Sequence, residues 1–292
     1  MNIKKHIPNA ITCGNLLCGC LAIVKAFEGD LVWAAYLVGI AAVLDFFDGF
    51  AARMLKVSSP IGKDLDSLAD MVTFGVVPGV VMYNLLKKII IYKYGVDNHS
   101  VLDYSIDSND LRLLIPYVSL LIPIFSCIRL AKFNNDTRQS DSFIGVPTPA
   151  NAILLCSLIL IVNFQIDFDF FYEVLTGKKL SPLVPIYYGL FGFKPYANNL
   201  FTVNDLSYLL TNEWVYIGII LIFCFLLVAE LPLFALKFKH FKWKGNEIRF
   251  VFLGLSLVML ITLQFIGIPL IIIMYILLSV INNIISRKRA VS

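Results

Sequence analysis

Leu31-Val32-Trp33-Ala34-Ala35-Tyr36-Leu37-Val38-Gly39-Ile40-Ala41-Ala42-Val43-Leu44-Asp45-Phe46-Phe47-Asp48-Gly49-Phe50 is an almost unbroken apolar run whose far end carries two aspartates. A helix crossing a hydrocarbon core of ~30 Å at ~1.5 Å per residue needs ~20 mostly apolar residues, so this stretch has the length of one membrane span. Comparable runs lie near Ile11–Phe27, Leu68–Leu86, Leu113–Leu130, Ala150–Ile166, Trp214–Leu236, Ile248–Ile266 and Ile268–Ile284. The Gly267 to Pro269 break is what separates the last two. Across 292 residues 59% are hydrophobic and 15% charged, and the mean hydropathy is +0.80. A soluble globular domain carries roughly 25% charged residues, so an ordinary water-soluble enzyme is excluded, as is a polar disordered chain. The fold expected is all-α, a polytopic transmembrane bundle of about eight spans.

Charge gives the orientation, because Lys and Arg collect on the cytoplasmic side of short loops. With the N-terminus inside, sixteen cations fall on the cytoplasmic side, among them Arg53, Lys63, Arg129, Lys132 and Lys237–Arg249, against eight outside. Both ends are expected in the cytoplasm of a multi-pass cytoplasmic membrane protein. The net charge of +4 then reads as topology and attraction to anionic membrane lipids, and no nucleic-acid motif is visible. No cleavable signal peptide is evident. The six cysteines lack zinc-site spacing and read as small packing residues. The polar stretch Lys87 to Asp110 and the long stretch Asp167 to Asn212 are expected outside, with Leu183 to Phe193 lying at the interface.

The chemistry gathers just past the first aspartates. An ionised Asp near the centre of a span costs at least ~2.5 kcal/mol, so such groups face a polar cavity, a partner or a metal. Asp45 and Asp48 stand three apart, Asp66 and Asp70 four apart, so each pair shares one helical face. The short connection Met54 to Ile61 brings the two helices back antiparallel and makes one four-carboxylate cage. Oxygen-only donors suit a hard divalent cation, Mg²⁺ or Mn²⁺, and fit zinc poorly. Gly49 and Gly62 leave backbone that a phosphate can approach, with Arg53 one turn beyond Gly49 to donate to it. Asp64 faces another way and reads as a solvated acid.

The pattern Asp45-x-x-Asp48-Gly49-x-x-Ala52-Arg53, eight residues, Gly62-x-x-x-Asp66-x-x-x-Asp70 resembles the complete signature of the CDP-alcohol phosphotransferases, integral membrane enzymes of phospholipid synthesis. The resemblance implies a two-metal site on Asp45, Asp48, Asp66 and Asp70, with Asp70 also the general base. It implies that Gly49, Arg53 and Ser59 contact the CDP moiety, as does Thr12 at the start of the first span. A homodimer is implied as well. Two further pieces, Arg129-Leu130-Ala131-Lys132-Phe133-Asn134 and Gly145-Val146-Pro147-Thr148-Pro149-Ala150, resemble the membrane-embedded bacterial and archaeal phosphatidylserine synthases of that family. Lys132 and Val146 stand where those have Arg and Leu.

The likeness spans about Ile7 to Ala152. It divides the chain into a catalytic core, 1–152, and C-terminal spans, 153–292, with the external loop 167–212. The activity so implied is transfer of a phosphatidyl group from CDP-diacylglycerol to L-serine. Arg129 and Lys132 would meet the serine carboxylate, and Thr148 and Asn151 would hydrogen-bond the amino acid. Two alternatives stay open on the residues alone: the same chemistry on glycerol 3-phosphate, or a cation transporter, since intramembrane acids also mark ion pathways.

Overall fold

The computed structural model describes residues 6–57, 59–94, 111–136, 142–165, 210, 212–234, 243 and 246–291. They are helical almost throughout, because a backbone in hydrocarbon must satisfy its own N–H and C=O groups. In chain order the elements are α1 (His6–Phe27), α2 (Leu31–Met54), α3 (Pro60–Asp70), a π-helical stretch (Met71–Val76) and α4 (Val77–Tyr94). A 3₁₀ segment (Leu111–Leu120) leads into α5 (Leu121–Asn135), followed by β1 (Ser142–Ile144), α6 (Thr148–Gln165), α7 (Glu213–Val228) and β2 (Pro232–Phe234). The chain closes with α8 (Glu247–Leu263), a 3₁₀ turn (Gln264–Ile266) and α9 (Gly267–Val291). Nearly all of the stretch 167–212, the run Leu183 to Phe193 and most of the basic loop 237–249 lie outside the described residues.

Among the described residues, five helical segments are long and apolar enough to cross a bilayer: His6–Phe27, Leu31–Met54, Pro60–Ile91, Leu111–Asn135 and Glu247–Ile285. Thr148–Asn163 and Glu213–Val228 are shorter apolar helices. The count by length is thus five, where the sequence led to eight. One difference is the final run, which is continuous in length but reverses inside. Gln264 takes φ 50°, and a Cβ at Gly267 would lie 2.7 Å from the carbonyl oxygen of Met259, eight residues earlier. The turn falls three residues before the expected Gly267–Pro269 break. Pro269 sits instead in the first turn of α9, where a missing N–H costs little.

Two tight connections fold the site together. Gly29, at φ 85°, ends α1, and the Asp30 carboxylate caps α2 by accepting from the Trp33 N–H at 3.0 Å. After α2 the chain turns through Lys56, at φ 52°, and α3 opens on Ser59 as N-cap and Pro60 in its first turn. Small buried residues on α1 (Ala22, Ala26) and α2 (Ala34, Ala35, Ala41) help these helices pack closely, and Gly19 of α1 lies against Thr73 of the π stretch, whose Cα would be 3.1 Å from a Cβ there. Gly75 in the π stretch would bring a Cβ within 3.2 Å of Ser126, so α5 packs closely there.

α6 runs through the middle of the bundle. Ala152, Leu154, Leu155, Leu158, Ile159, Ile161 and Val162 are all buried, so it is apolar on every side, as a helix surrounded by other helices must be. The outer helices present Leu17, Trp33, Phe46, Leu257 and Ile261 outward, an apolar surface suited to lipid. β1 and β2, three residues each, form an antiparallel pair that the periodicity did not announce.

Candidate functional site

Asp45 and Asp48 project from the last turns of α2, and Asp66 and Asp70 from α3, as the spacing required. Carboxylate oxygens of Asp45, Asp48 and Asp66 all lie within 4.8 Å of one another. Asp70 stands one turn further along α3, with its carboxyl in hydrogen-bond reach of Asp45. Three acids so close repel strongly unless a cation sits among them. The donor set is all oxygen, and that chemistry fits a hard divalent ion.

α1 supports this cage from one side. The Thr12 hydroxyl donates to Asp48 Oδ2 at 2.7 Å, and its oxygen also lies 3.0 Å from the Pro8 carbonyl. Asn15, fully buried, donates from Nδ2 to Asp70 Oδ1 at 3.4 Å. Thr73, in the π stretch just after Asp70, donates to the Asn15 carbonyl at 3.3 Å. The helix bearing Asp70 is therefore held to α1 at the carboxylate and again three residues beyond it.

Beside the cage opens a cavity of about 260 Å³, whose walls include Thr12, Asp48, Gly49, Ser59, Gly62 and Asp66. The Arg53 guanidinium folds back along α2 beside Gly49, with Nη1 3.4 Å from where a Cβ would stand, an ordinary contact distance. Gly62 is pressed between Asn9 Oδ1 and Ser59 Oγ, each 3.0 Å from where its Cβ would be. Ser59 has a second task as the α3 N-cap, its Oγ accepting from the Gly62 N–H at 3.1 Å. Lys63 and Asn9 also line the cavity, and sequence reasoning passed over both. Lys63 could have been suspected from its place beside Gly62. Asn9 and Asn15 carry no local signal, because a lone Asn in a helix reads as packing or capping.

Further buried polar residues lie on α5 and α6, both of which pack on the π stretch. Arg129 is only 6% exposed, its guanidinium 5.0 Å over the Phe133 ring and within electrostatic reach of Asp70. Its Nε has no hydrogen-bond partner among the described residues, nor do the Thr148 hydroxyl, the Asn151 amide or the Ser126 hydroxyl, all buried. Thr148 and Asn151 thus do not cap α6. Lys132 lies apart: it is exposed and its ammonium donates to the Val228 carbonyl at 3.4 Å. Asp64 is exposed, away from the cage.

A model of the family described as CDP-alcohol phosphatidyltransferase matches residues 5–177. A CDP-diacylglycerol--serine O-phosphatidyltransferase of Helicobacter pylori is 35% identical over 158 residues, which are 53% of this chain and 58% of that protein. The Bacillus subtilis protein of the same name is also 35% identical, over 54% of this chain and 77% of its own length. An archaetidylserine synthase of Methanothermobacter thermautotrophicus is 28% identical over 55% of this chain and 62% of its own. The matched region thus spans a little over half of the Helicobacter relative.

Proposed function

The chain belongs to the CDP-alcohol phosphatidyltransferase family, and from that premise we propose that it transfers the phosphatidyl group of CDP-diacylglycerol to the hydroxyl of L-serine, releasing CMP. The observation that carries this reading is the three-carboxylate cluster of Asp45, Asp48 and Asp66 opening onto the glycine-walled cavity. Asp45, Asp48, Asp66 and Asp70 would hold two divalent cations, Mg²⁺ or Mn²⁺. Bound there, such ions supply charge neutralisation to a diphosphate and to the departing CMP.

The chain's own residues do the rest. Gly49 and Gly62 admit the diphosphate to the backbone, Ser59 and Thr12 border the same space, and Arg53, whose guanidinium lies beside Gly49, is the charge-assisted donor. Asp70 takes the proton of the serine hydroxyl as that oxygen bonds to the phosphorus bearing the diacylglycerol. The bond from this phosphorus to the CMP oxygen breaks, and CMP leaves with the electron pair. Asn15 keeps the Asp70 carboxylate turned for this task.

Arg129, Thr148 and Asn151 form the acceptor side, Arg129 for the serine carboxylate and the other two for its polar groups. Buried polar atoms without partners cost about 1–3 kcal/mol each, and a ligand with both charges and a hydroxyl relieves that cost. Lys132 joins them only by leaving the Val228 carbonyl. A phosphorylated acceptor such as glycerol 3-phosphate calls for several cations here, whereas Arg129 is the buried cation of this group among the described residues. The transporter alternative has no support in the family match.

The chain is read as eight crossings of the cytoplasmic membrane, as a homodimer, with both ends and the site in the cytoplasm. Purified protein given CDP-diacylglycerol and Mn²⁺ or Mg²⁺ should release CMP only when serine is added. Release driven by glycerol 3-phosphate instead would move the acceptor assignment, and release with no alcohol at all would remove it.

A further inference from the structure

Thr148 and Asn151 stand at the start of α6, and the chain reaches them through β1, Gly145 and Pro147. This approach is held from the C-terminal half of the molecule. β1 pairs antiparallel with β2, Ser142 opposite Phe234 and Ile144 opposite Pro232. Just beyond β1, the Gly145 N–H donates to the Leu231 carbonyl at 2.9 Å and the Val146 N–H to the Leu226 carbonyl at 3.0 Å. The segment entering α6 is thereby stitched to the end of α7 and the residues after it.

β2 has another edge, and a strand edge in apolar surroundings is costly unless its polar groups find partners. α9 supplies them from one face, because Tyr275, Ser279 and Asn283 recur every fourth residue and stack along one stripe of the helix. The Tyr275 hydroxyl donates to the Phe234 carbonyl at 2.7 Å. Ser279 Oγ accepts from the Phe234 N–H at 3.4 Å, and Asn283 Nδ2 donates to the Pro232 carbonyl at 2.6 Å. Pro232, lacking an N–H, leaves no donor to satisfy at that position.

We propose that this ladder is a brace: Tyr275, Ser279 and Asn283, acting through β2 and β1, are positioning residues that fix the entry to α6 and with it Thr148 and Asn151. The brace gives the last helix a part in the acceptor side, 127 residues or more along the chain from Thr148. Its consequence for turnover rests on the serine-transfer reading above. On that reading it governs serine affinity and leaves the CDP-lipid side, built on α1 to α3, unchanged.

The test uses the whole chain in detergent with Tyr275→Phe, Asn283→Ala and the double variant. Backbone hydrogen exchange is followed over 142–148 and, as an internal reference, over 60–70. The double variant should exchange about tenfold faster over 142–148 at an unchanged rate over 60–70, and its KM for serine should rise about tenfold. Its KM for CDP-diacylglycerol and its kcat should stay within about twofold. Unaltered exchange over 142–148, or an equal rise in both segments, overturns the brace; faster exchange with an unchanged serine KM overturns its link to the acceptor. Should the native chain release no CMP with serine, the transfer reading fails by itself and the exchange rates still decide the brace. Tyr275→Phe keeps the ring that packs 4.9 Å from Phe234, so one variant stays informative even if Asn283→Ala does not fold.

Discussion

Asp70 ends α3 where three influences meet: Asn15 donates to it, Asp45 lies against it, and the buried Arg129 acts on it from α5. The other three acids crowd each other, so their replacement and that of Asp70 should fail differently. Asp70→Asn keeps the side chain's shape but removes the base, and turnover should fall by at least about a hundredfold. CDP-diacylglycerol binding, measured by equilibrium titration, should remain. Asp45→Asn instead removes one of three clustered carboxylates, and Mn²⁺ affinity, read by electron paramagnetic resonance, should drop at least about tenfold. Since Asp70 is also placed among the ion-holding acids, a turnover loss in Asp70→Asn that saturating Mn²⁺ restores would deny it a separate role as base.

Gly62 makes a further case at this scale. Gly62→Ala gains only part of the about 1 kcal/mol by which alanine is favoured over glycine within a helix, because Gly62 lies in the first turn of α3. Its Cβ would nevertheless press on Asn9 and Ser59, and the KM for the CDP-lipid should rise about threefold or more. An unaffected KM would mean that the cavity is not the nucleotide cradle. The acids and Gly62 could be read from the chain because carboxylates are expensive in an apolar run and their spacing maps directly onto helix faces. Asn15 and Asn9 could not: their significance comes from α1 lying against the cage, a tertiary fact with no local pattern.

Among elements, the π-helical stretch Met71–Val76 is where the site is assembled. It follows Asp70 directly and receives α1, α5 and α6, and of these α1 reaches that carboxylate with Asn15 and α5 with Arg129. The apolar run of α3 and α4 announced a helix, but a single extra residue per turn changes no hydropathy pattern and was invisible. The same holds for β1 and β2, since three residues are too few for alternation to register. Gly145 betrays them indirectly. It adopts φ 75°, and a Cβ there would stand 2.6 Å from the Leu227 carbonyl oxygen. Gly145→Ala should therefore destabilise the protein by at least about 1–2 kcal/mol from backbone conformation alone. A thermal midpoint in detergent equal to that of the native chain would show that the segment tolerates another path.

At the scale of the whole molecule, α2 decides which side the site faces. It has 24 residues, a length of roughly 36 Å at ~1.5 Å per residue, which exceeds a hydrocarbon core of ~30 Å. Its two ends therefore emerge on opposite sides. The acidic cage sits at the Met54 end together with Arg53, Lys56 and Lys63, while the other end bears Glu28, paired with Lys25 at 2.6 Å, and Asp30. A basic end is retained in the cytoplasm, and this one should be. In a cysteine-free background, Met54→Cys and Glu28→Cys both place a thiol at an exposed position beside or at one end of α2. A membrane-impermeant maleimide applied to intact cells should label Glu28→Cys and reach Met54→Cys only after permeabilisation. The reverse pattern would put the cage outside, away from the nucleotide-activated lipid made within the cell, and a transferase drawing on that lipid could not work from there.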